Sequence, residues 1–586
     1  MTRRPNSAPV ALLLAFFAAF ANTAAAATIT VNSSLDTTAN DGVCTLREAI
    51  NSANNNVASG GMANECAAGQ AFPTIDAIHF AIPGSTLHTI ALASQLPDIT
   101  GPVTIEGYSQ AGSSENTLAV GDNAVLLVEV SAAALPQFTD TFRIAASASG
   151  TTVRGLVVSN TKNQAFTVGF STPADNVVIE GNFIGTDSTG TILTAGVNLN
   201  LLRLNGTGNR LGGTTPKSRN LIAGGGGGTV WAGGTGNLIQ GNYIGVDASG
   251  TLPLQPATAT IAIELSPLGA ANATKIGGTE AGAGNVLMGT NLGISIGAGV
   301  HDTIIQGNYI GIDATGTHAL GGNIGITTSN APTGTIIGGS EPGAGNVISG
   351  NNSYGIFLND GAAGTIIKGN RIGTDATGTR AVSNHGAGIF LFTPSSGSII
   401  GGKDPGEGNT IAFNCSFGID MWPGYVGWAM LGNSIYSNVN LGISFNHNNA
   451  PVANDAGDLD TGSNNQQNHP VITAAPVAAG MVDLAGTFNS LPAKTYRVEF
   501  FSGVGCHGTG SGEGRNFLGA RDLITDVSGN ASFGNGLAMF AIPNGHSVFT
   551  ATATDPDGNT SEFSQCFGIP DLLFHSDFEG ACAGYD

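Results

Sequence analysis

One phrase of the sequence, Gly-Asn-x-Ile-Gly-x-Asp-x-x-Gly-Thr, occurs four times almost unchanged, at Gly181–Thr191, Gly241–Thr251, Gly307–Thr317 and Gly369–Thr379. The starts of these copies lie 60, 66 and 62 residues apart. Repeats of this length cannot bury a hydrophobic core alone, so they must stack on one another. The chain is therefore predicted to be built from a stacked repeat unit.

A shorter period indicates how each unit folds. A Gly-Ile dipeptide recurs at intervals of 32, 30, 33, 30 and 24 residues, starting at Gly293, Gly325, Gly355, Gly388, Gly418 and Gly442. Each interval holds three short strand-like pieces, which predicts an all-β fold, a right-handed parallel β-helix with three strands per coil. Alternation along these strands points four apolar side chains into the core, those of Ile356, Leu358, Ile367 and Ile372.

Two sets of polar residues in the repeat are predicted to have structural roles. The asparagines of the Gly-Asn pairs are predicted to form a hydrogen-bonded ladder from coil to coil. They are Asn182, Asn242, Asn308, Asn370 and Asn433. The aspartates of the repeated loops are predicted to accept hydrogen bonds from their own loop backbone, with the following glycine at positive φ. They are Asp187, Asp247, Asp313 and Asp375.

The first 27 residues are typical of an export signal. Arg3 and Arg4 precede an apolar run at Val10–Ala21, and small residues up to Ala27 offer a cleavage site. The apolar run is too short to favour a membrane span. A secreted or cell-surface protein without a transmembrane segment is predicted, and whether it is released or anchored stays open.

Charge and cysteine content agree with an extracytoplasmic protein. The formal net charge of −21 makes nucleic acid a poor partner. Four of the six cysteines are predicted to form two disulfides in an oxidising compartment. The predicted pairs are Cys44 with Cys66 and Cys506 with Cys566. Cys415 and Cys582 are left over, and their pairing stays open.

The segment Cys44-Thr-Leu-Arg-Glu-Ala-Ile50 resembles the motif of the CSLREA-domain family, secreted bacterial proteins that bear parallel β-helices on a pectate-lyase-like scaffold. Thr45 stands where that family usually has serine. The resemblance implies that residues 28–98 form a cap over the first coil and that residues 99–450 form the β-helix. The family has a common architecture and no common reaction.

The chain changes character after the repeats. Residues 451–470 are an Asp- and Asn-rich linker. Alternating apolar segments separated by Gly- and Asp-rich turns then predict an immunoglobulin-like β-sandwich over residues 471–568. Residues 569–586 resemble a short C-terminal motif found on some exported bacterial proteins, for which sorting and simple packing are both open.

Aromatic residues are the leading candidates for a binding surface. The residue after each Gly-Asn pair is predicted to point outward on alternate coils, which gives a row formed by Phe183, Tyr243 and Tyr309. Sugar rings stack on such faces. The alternative is that these rings only cover neighbouring loops. A second cluster, with Trp422 and Trp428, is a candidate rim contact for a polymer or else a set of packing residues.

Candidates for catalysis are weaker. Pectate-lyase-like enzymes imply calcium held by carboxylates with a Lys or Arg base nearby. Here the nearest approach is one predicted coil face with Lys368, Arg371, Asp375 and His385, for which a solvated face is the alternative. A pair of acids for glycoside hydrolysis, Asp404 with Glu407, is a weak signal.

The densest acidic run, Asp455, Asp458 and Asp460, offers oxygen ligands for a structural calcium ion. It lacks the spacing of an EF-hand loop, and a solvated turn is the alternative. The leading functional hypothesis is a β-helix that presents a long face to extracellular polysaccharide or a cell surface. The alternatives are a polysaccharide lyase, epimerase or glycoside hydrolase on the same scaffold, and a structural stalk whose terminal sandwich makes the contact.

Overall fold

The structure is a computed structural model. It describes residues 26–59, 65–194, 200–256, 258, 260–266, 272–394, 397–534, 536, 539–568 and 582. Most of the predicted export signal and most of the C-terminal tail therefore lie outside the described residues. Within them, no helix combines the length and the apolar character that crossing a membrane requires.

Three long parallel sheets run side by side along the repeats, and neighbouring strands in each sheet come from successive coils. This topology confirms the predicted right-handed parallel β-helix with three strands per coil. The sheets have 13, 12 and 11 strands in the described part of the chain and are called sheets 1, 2 and 3 below.

The strands of sheet 1 are Thr28–Val31, Asp76–Phe80, Val103–Glu106, Thr152–Arg154, Val178–Glu180, Arg210–Gly212, Leu238–Gln240, Lys275–Gly277, Ile304–Gln306, Ile336–Gly338, Ile366–Lys368, Ile399–Gly401 and Ala429–Leu431. The strands of sheet 2 are His88–Ala91, Val128–Ser131, Val157–Ser159, Phe183–Ile184, Leu221–Ile222, Tyr243–Ile244, Val286–Leu287, Tyr309–Ile310, Val347–Ile348, Arg371–Ile372, Thr410–Ala412 and Ser434–Tyr436. The strands of sheet 3 are Phe142–Ile144, Phe166–Val168, Leu202–Thr207, Gly228–Thr235, Ile261–Leu265, Leu292–Ile296, Ile324–Thr328, Ile356–Asn359, Ile389–Phe392, Ile419–Met421 and Ile443–Phe445.

The β-helix core is a continuous stack of branched aliphatic side chains, which suit a buried parallel sheet. The predicted inward residues Ile356, Leu358, Ile367 and Ile372 are each 0% exposed. The alternation that was visible in the sequence therefore predicted the core correctly.

The predicted asparagine ladder is confirmed at the corner between sheets 1 and 2. Each side-chain Nδ2 donates to the Oδ1 of the next asparagine at 2.9–3.2 Å. The intervening coils contribute four further members, so the ladder runs through Asn182, Asn220, Asn242, Asn285, Asn308, Asn346, Asn370, Asn409 and Asn433. A second ladder runs through Asn351, Asn384, Asn414 and Asn438.

The N-terminal segment closes the first coil with the helix Leu46–Asn55. Thr45 is its N-cap: the hydroxyl accepts a hydrogen bond from the backbone N–H of Glu48, and the Glu48 carboxylate accepts one from the backbone N–H of Thr45. This capping box explains why a hydroxyl residue and a glutamate stand three residues apart in the motif. The predicted Cys44–Cys66 disulfide is present. The strand Thr28–Val31 belongs to sheet 1, so the cap is continuous with the β-helix.

The C-terminal region is an antiparallel sandwich with an immunoglobulin-like strand order. One sheet has the strands Val471–Ala474, Ala485–Asn489 and Asn530–Phe533, and the other has Asn516–Ile524, Thr495–Gly503, Val548–Thr554 and Phe567–Gly568. A small ribbon is formed by Val477–Ala478, Met481–Val482 and Phe540–Ala541. The predicted disulfide Cys506–Cys566 is present, and Cys415 pairs with Cys582.

The sandwich covers the last coil of the β-helix. Phe501 and Phe563 of the sandwich join the β-helix core. Three glutamates of the sandwich, two buried and one half-buried, accept hydrogen bonds from backbone N–H groups of the last coil and the segment after it. They are Glu499, bound to Gly432; Glu513, bound to Ser437 and Asn438; and Glu562, bound to Phe445 and Val452. An open end would leave these donors unpaired, so the sandwich acts as the C-terminal cap.

Candidate functional site

The predicted aromatic row is covered. Phe183 and Tyr243 are 2% and 4% exposed, and Tyr309 is half-buried. All three side chains leave the coil core, as predicted, but they join a second hydrophobic cluster outside it. The prediction of an exposed row is therefore wrong for Phe183 and Tyr243, and the rings serve as packing under loops.

The repeated Gly-x-Asp-x-x-Gly-Thr loops provide that cover because they contact each other. Their strands stand two coils apart, about 10 Å. Successive loops nevertheless contact each other through backbone hydrogen bonds of 2.8–3.0 Å. The donor and acceptor pairs are Ala248 to Gly190, Ala314 to Gly250 and Ala376 to Gly316. The loop chain thus bridges the coils between and lies over the aromatic rings.

The loop aspartates have the predicted internal role. Asp313 Oδ1 accepts hydrogen bonds from the backbone N–H groups of Thr317 and His318 at 3.0 and 3.2 Å. Burial works to raise the pKa of Asp313, but these hydrogen bonds and that of Thr315 outweigh it and hold the pKa below its usual value. The glycine that follows, Gly316, has a φ of 69°.

A cleft of about 250 Å³ remains beside Tyr309, lined also by Arg219, Val120 and Tyr243. Arg219 is buried and donates to the carbonyl oxygens of Ala119 and Gly121. Its charge is therefore used to hold a neighbouring loop segment against the coil. The cleft offers a ligand part of one tyrosine ring and little else.

The predicted catalytic face does not form. Lys368 ends a strand of sheet 1 and Arg371 begins a strand of sheet 2, so the corner between these sheets separates them. The prediction that they share one face is wrong, because the corner follows Lys368 directly. Asp375 is 3% exposed, and its carboxylate accepts a hydrogen bond from the backbone N–H of Thr379 in the same loop. His385 lies further on, where its backbone N–H donates to the carbonyl oxygen of Asn351.

In the acid pair Asp404 and Glu407, the Glu407 carboxylate is bound within the protein, whereas Asp404 is exposed. Lys368 Nζ donates to Glu407 Oε1 at 2.9 Å, and the backbone N–H of Asp404 donates to Glu407 Oε2 at 3.1 Å. The hydrogen bond from Lys368 holds the pKa of Glu407 below its usual value. A carboxylate with a lowered pKa is a poor general acid.

The predicted aspartate cluster does converge. Carboxylate oxygens of Asp455, Asp458 and Asp460 lie within 4.8 Å of one another. Asp458 accepts hydrogen bonds from the backbone N–H of Asn468 and from Nε2 of Gln467, at 2.9 and 2.6 Å. Burial raises the pKa of Asp458 to about 6. The buried Oδ1 atoms of Asp455 and Asp460 have no hydrogen-bond partner in the described structure, so the set suits a cation with oxygen ligands.

An aromatic surface of which the sequence analysis named only Trp422 lies on the outer face of sheet 3. It consists of Tyr354, Phe357, Phe390, Phe392, Trp422 and His447 and is called the aromatic site below. Successive strands bring Phe357, Phe390 and Asp420 into register across three coils. The signal was present in the sequence, because a phenylalanine follows the Gly-Ile pair at both Gly355 and Gly388.

The rings of the aromatic site pack on one another, with Phe390 buried at the centre and Tyr354, Phe357 and Phe392 half-buried around it. Tyr354 stacks on Phe390 with ring centroids 4.8 Å apart, and Phe392 lies 5.1 Å from Trp422. Trp422 is 41% exposed, as a binding residue must be. Trp428 is 0% exposed and donates its indole N–H to the carbonyl oxygen of Thr393, so the prediction that Trp428 is a contact residue is wrong.

A buried carboxylate and a histidine stand at one edge of the aromatic site. Asp420 is 0% exposed although it occupies an outward position of sheet 3. Its Oδ2 lies 2.5 Å from Nδ1 of His447, and the His447 side chain is 47% exposed. Burial raises the pKa of Asp420, an effect that His447 partly offsets. The His447 ring lies 5.9 Å from the Trp422 ring and 5.8 Å from the Phe390 ring.

Comparison with protein-family models and with curated proteins gives no match. Among solved structures, the chain is similar to the periplasmic alginate epimerase AlgG, with 13% sequence identity and a TM-score of 0.22. The alignment covers 58% of this chain and 63% of the epimerase, less than two thirds of that protein's length. At this identity and TM-score, the likeness says nothing about activity.

Proposed function

We propose that this protein is an extracytoplasmic polysaccharide-binding β-helix whose contact surface is the aromatic site on sheet 3. The observation that carries the proposal is the set of aromatic rings in register on neighbouring coils, with Trp422 41% exposed. The three disulfides are typical of an oxidising, extracytoplasmic compartment, where such polymers occur.

The dimensions and chemistry of the site support a saccharide ligand. Strands on neighbouring coils are about 4.8 Å apart, so the step from Phe357 to Asp420 spans about 10 Å, roughly two sugar units. The C–H faces of sugar rings stack on aromatic faces, while polar groups at the edge fix their orientation. Here His447 and the Tyr354 hydroxyl are the polar groups on that face, and the fully buried Asp420 contacts His447.

Trp422→Ala is expected to weaken polysaccharide binding about tenfold. Loss of one exposed stacking platform removes ~1.4 kcal/mol of binding free energy, which corresponds to a factor of ten. The measurement is affinity electrophoresis of the full chain against a panel of neutral and acidic polysaccharides, followed by calorimetry on the polymer that retards it. Because Trp422 also packs on Phe392, the variant should melt at a somewhat lower temperature, and binding is measured well below that temperature.

Phe138→Ala is the matched control, since Phe138 is 69% exposed and lies in a different part of the β-helix. It is expected to bind as the wild type does. The proposal fails when no polymer retards the wild type, or when both variants weaken binding equally.

The aspartate cluster favours a second, structural role. We propose that Asp455, Asp458 and Asp460 hold a calcium ion that fixes the segment between the β-helix and the sandwich.

Calcium at about 100 times its dissociation constant is expected to stabilise the fold by about 2.7 kcal/mol, measured as a rise in melting temperature. The gain should shrink below pH 6, because burial raises the pKa of Asp458 to about 6 and protonation removes its ligand charge. Asp455→Asn should abolish it, and an equal calcium response in that variant would refute the site.

A further inference from the structure

The Asp420–His447 pair has the arrangement of an oriented general base. Asp420 is fully buried, and its Oδ2 meets Nδ1 of His447 at 2.5 Å. An ionised carboxylate at this position holds the tautomer with hydrogen on Nδ1, so that the lone pair of Nε2 is available to take a proton. Since 47% of the His447 side chain is exposed, a ligand on the aromatic site can reach it.

The backbone that carries His447 is held in an unusual conformation. Asn446 and His447 have φ values of 64° and 51°, a left-handed region that non-glycine residues seldom adopt. The Ser444 hydroxyl donates to the carbonyl oxygen of Asn448 at 2.9 Å, and Ser463 donates to Asn446 Oδ1 at 3.3 Å. These hydrogen bonds hold the turn that places His447 against Asp420. The histidine is thus preorganised beside the aromatic rings.

We propose that His447 is the general base of an ester-hydrolysing site for O-acylated saccharides, with Asp420 as its positioning residue. The substrate class rests on the saccharide binding proposed above. Glycosidic cleavage needs a second carboxyl group across the bond, whereas Asp420 is fully buried and turned toward His447. Activation of water against an ester needs a base and a hydrogen-bond donor, and Tyr354 places a phenol on the same face.

The proposed step uses water as its co-reactant. Nε2 of His447 takes a proton from water while the water oxygen forms a bond to the ester carbonyl carbon. The tetrahedral intermediate then breaks its bond to the sugar oxygen, which takes the proton back from the imidazolium. The products are a carboxylic acid and a free saccharide hydroxyl, and the histidine returns to its neutral form.

The test measures acetate release by the full chain from acetylated xylan, and hydrolysis of p-nitrophenyl acetate, between pH 5 and 9. His447→Asn is expected to lower kcat/KM at least about 100-fold, the contribution of a general base. Asparagine is chosen because it tolerates the left-handed backbone of this position. Asp420→Asn should lower kcat at least about tenfold with KM unchanged, because the imidazole loses the carboxylate that fixes its tautomer, and Asp420→Glu should recover part of the loss. A purely structural aspartate would leave kcat at the wild-type value in the folded Asp420→Asn protein.

The matched control is His318→Asn, because His318 also contacts an aspartate, Asp313, at 3.3 Å but is 79% exposed on a loop. It is expected to retain wild-type rates.

The two proposals fail separately. Polysaccharide binding with no ester hydrolysis, or wild-type rates in His447→Asn, overturns the base assignment alone. Loss of p-nitrophenyl acetate hydrolysis in His447→Asn without any polysaccharide binding keeps the base and refutes the binding function. If Asp420→Asn does not fold, His447→Asn decides the outcome, because an exposed side chain is changed there.

Discussion

Asn308→Ala is expected to lower the free energy of unfolding by about 3–5 kcal/mol. Asn308 is 0% exposed, and its Nδ2 donates to the carbonyl oxygen of Ile276 and to Oδ1 of Asn346, both at 2.9 Å. Its Oδ1 accepts the backbone N–H of Asn285 at 3.1 Å. Alanine leaves several buried polar groups without partners, and each such group costs about 1–3 kcal/mol.

The measurement is urea unfolding followed by circular dichroism, together with amide hydrogen exchange, because stacked repeats can unfold in parts. Asn352→Ala is the matched control: Asn352 is exposed and lies outside the ladder, with one hydrogen bond to the carbonyl oxygen of Gly321. It is expected to lose less than about 1 kcal/mol. Equal losses in the two variants would mean that the ladder does not stabilise the stack.

Lowering the pH from 8 to 5 is expected to stabilise the junction between the β-helix and the sandwich. Burial raises the pKa of Glu562 to about 7, against hydrogen bonds from Val452 and Phe445 that work to lower it. A carboxyl whose pKa is raised on folding contributes stability that is full below its unfolded value, near 4.5, and is lost as the pH rises through 7. The contribution is about 3 kcal/mol. Burial also raises the pKa of Glu499 and of Glu513 at the same junction.

Glu562→Gln isolates this contribution. The variant should lose about 2.5 kcal/mol of the difference in unfolding free energy between pH 5 and pH 8, measured by urea unfolding. Other groups act on the same profile: burial lowers the pKa of His469, which removes stability as the pH falls. The comparison of variant with wild type cancels those groups. An identical pH dependence in both proteins would contradict the assignment to Glu562.

The architecture was predictable because its causes are local and repeated. The Gly-Ile period, the alternation around Ile356 and Leu358 and the Gly-Asn pairs each report a position within one coil. Because the coils stack, the same contacts recur from coil to coil. The sequence pattern of one coil therefore predicts the structure of the others. The disulfides Cys44–Cys66 and Cys506–Cys566 followed from cysteines grouped by segment.

The candidate site was predicted poorly because it depends on contacts between segments far apart in sequence. Period-2 alternation gives the direction of Tyr243 but says nothing about the loops that cover it. Likewise, Lys368 and Arg371 are three residues apart, yet the sheet corner between them puts them on different faces. Asp420 and His447 meet because a left-handed turn follows the last strand of sheet 3; the asparagines at 446, 448 and 449 indicate a turn but not that it brings His447 to Asp420.

Oxidative footprinting of the three tryptophans tests the central claim most directly. Trp422 is 41% exposed, whereas Trp231 and Trp428 are 5% and 0% exposed and serve as internal references. With a retarding polysaccharide at saturation, oxidation of Trp422, read by mass spectrometry, should fall several-fold while the references stay unchanged. Oxidation of Trp422 at the same rate with and without bound polysaccharide would place the ligand elsewhere and contradict the account.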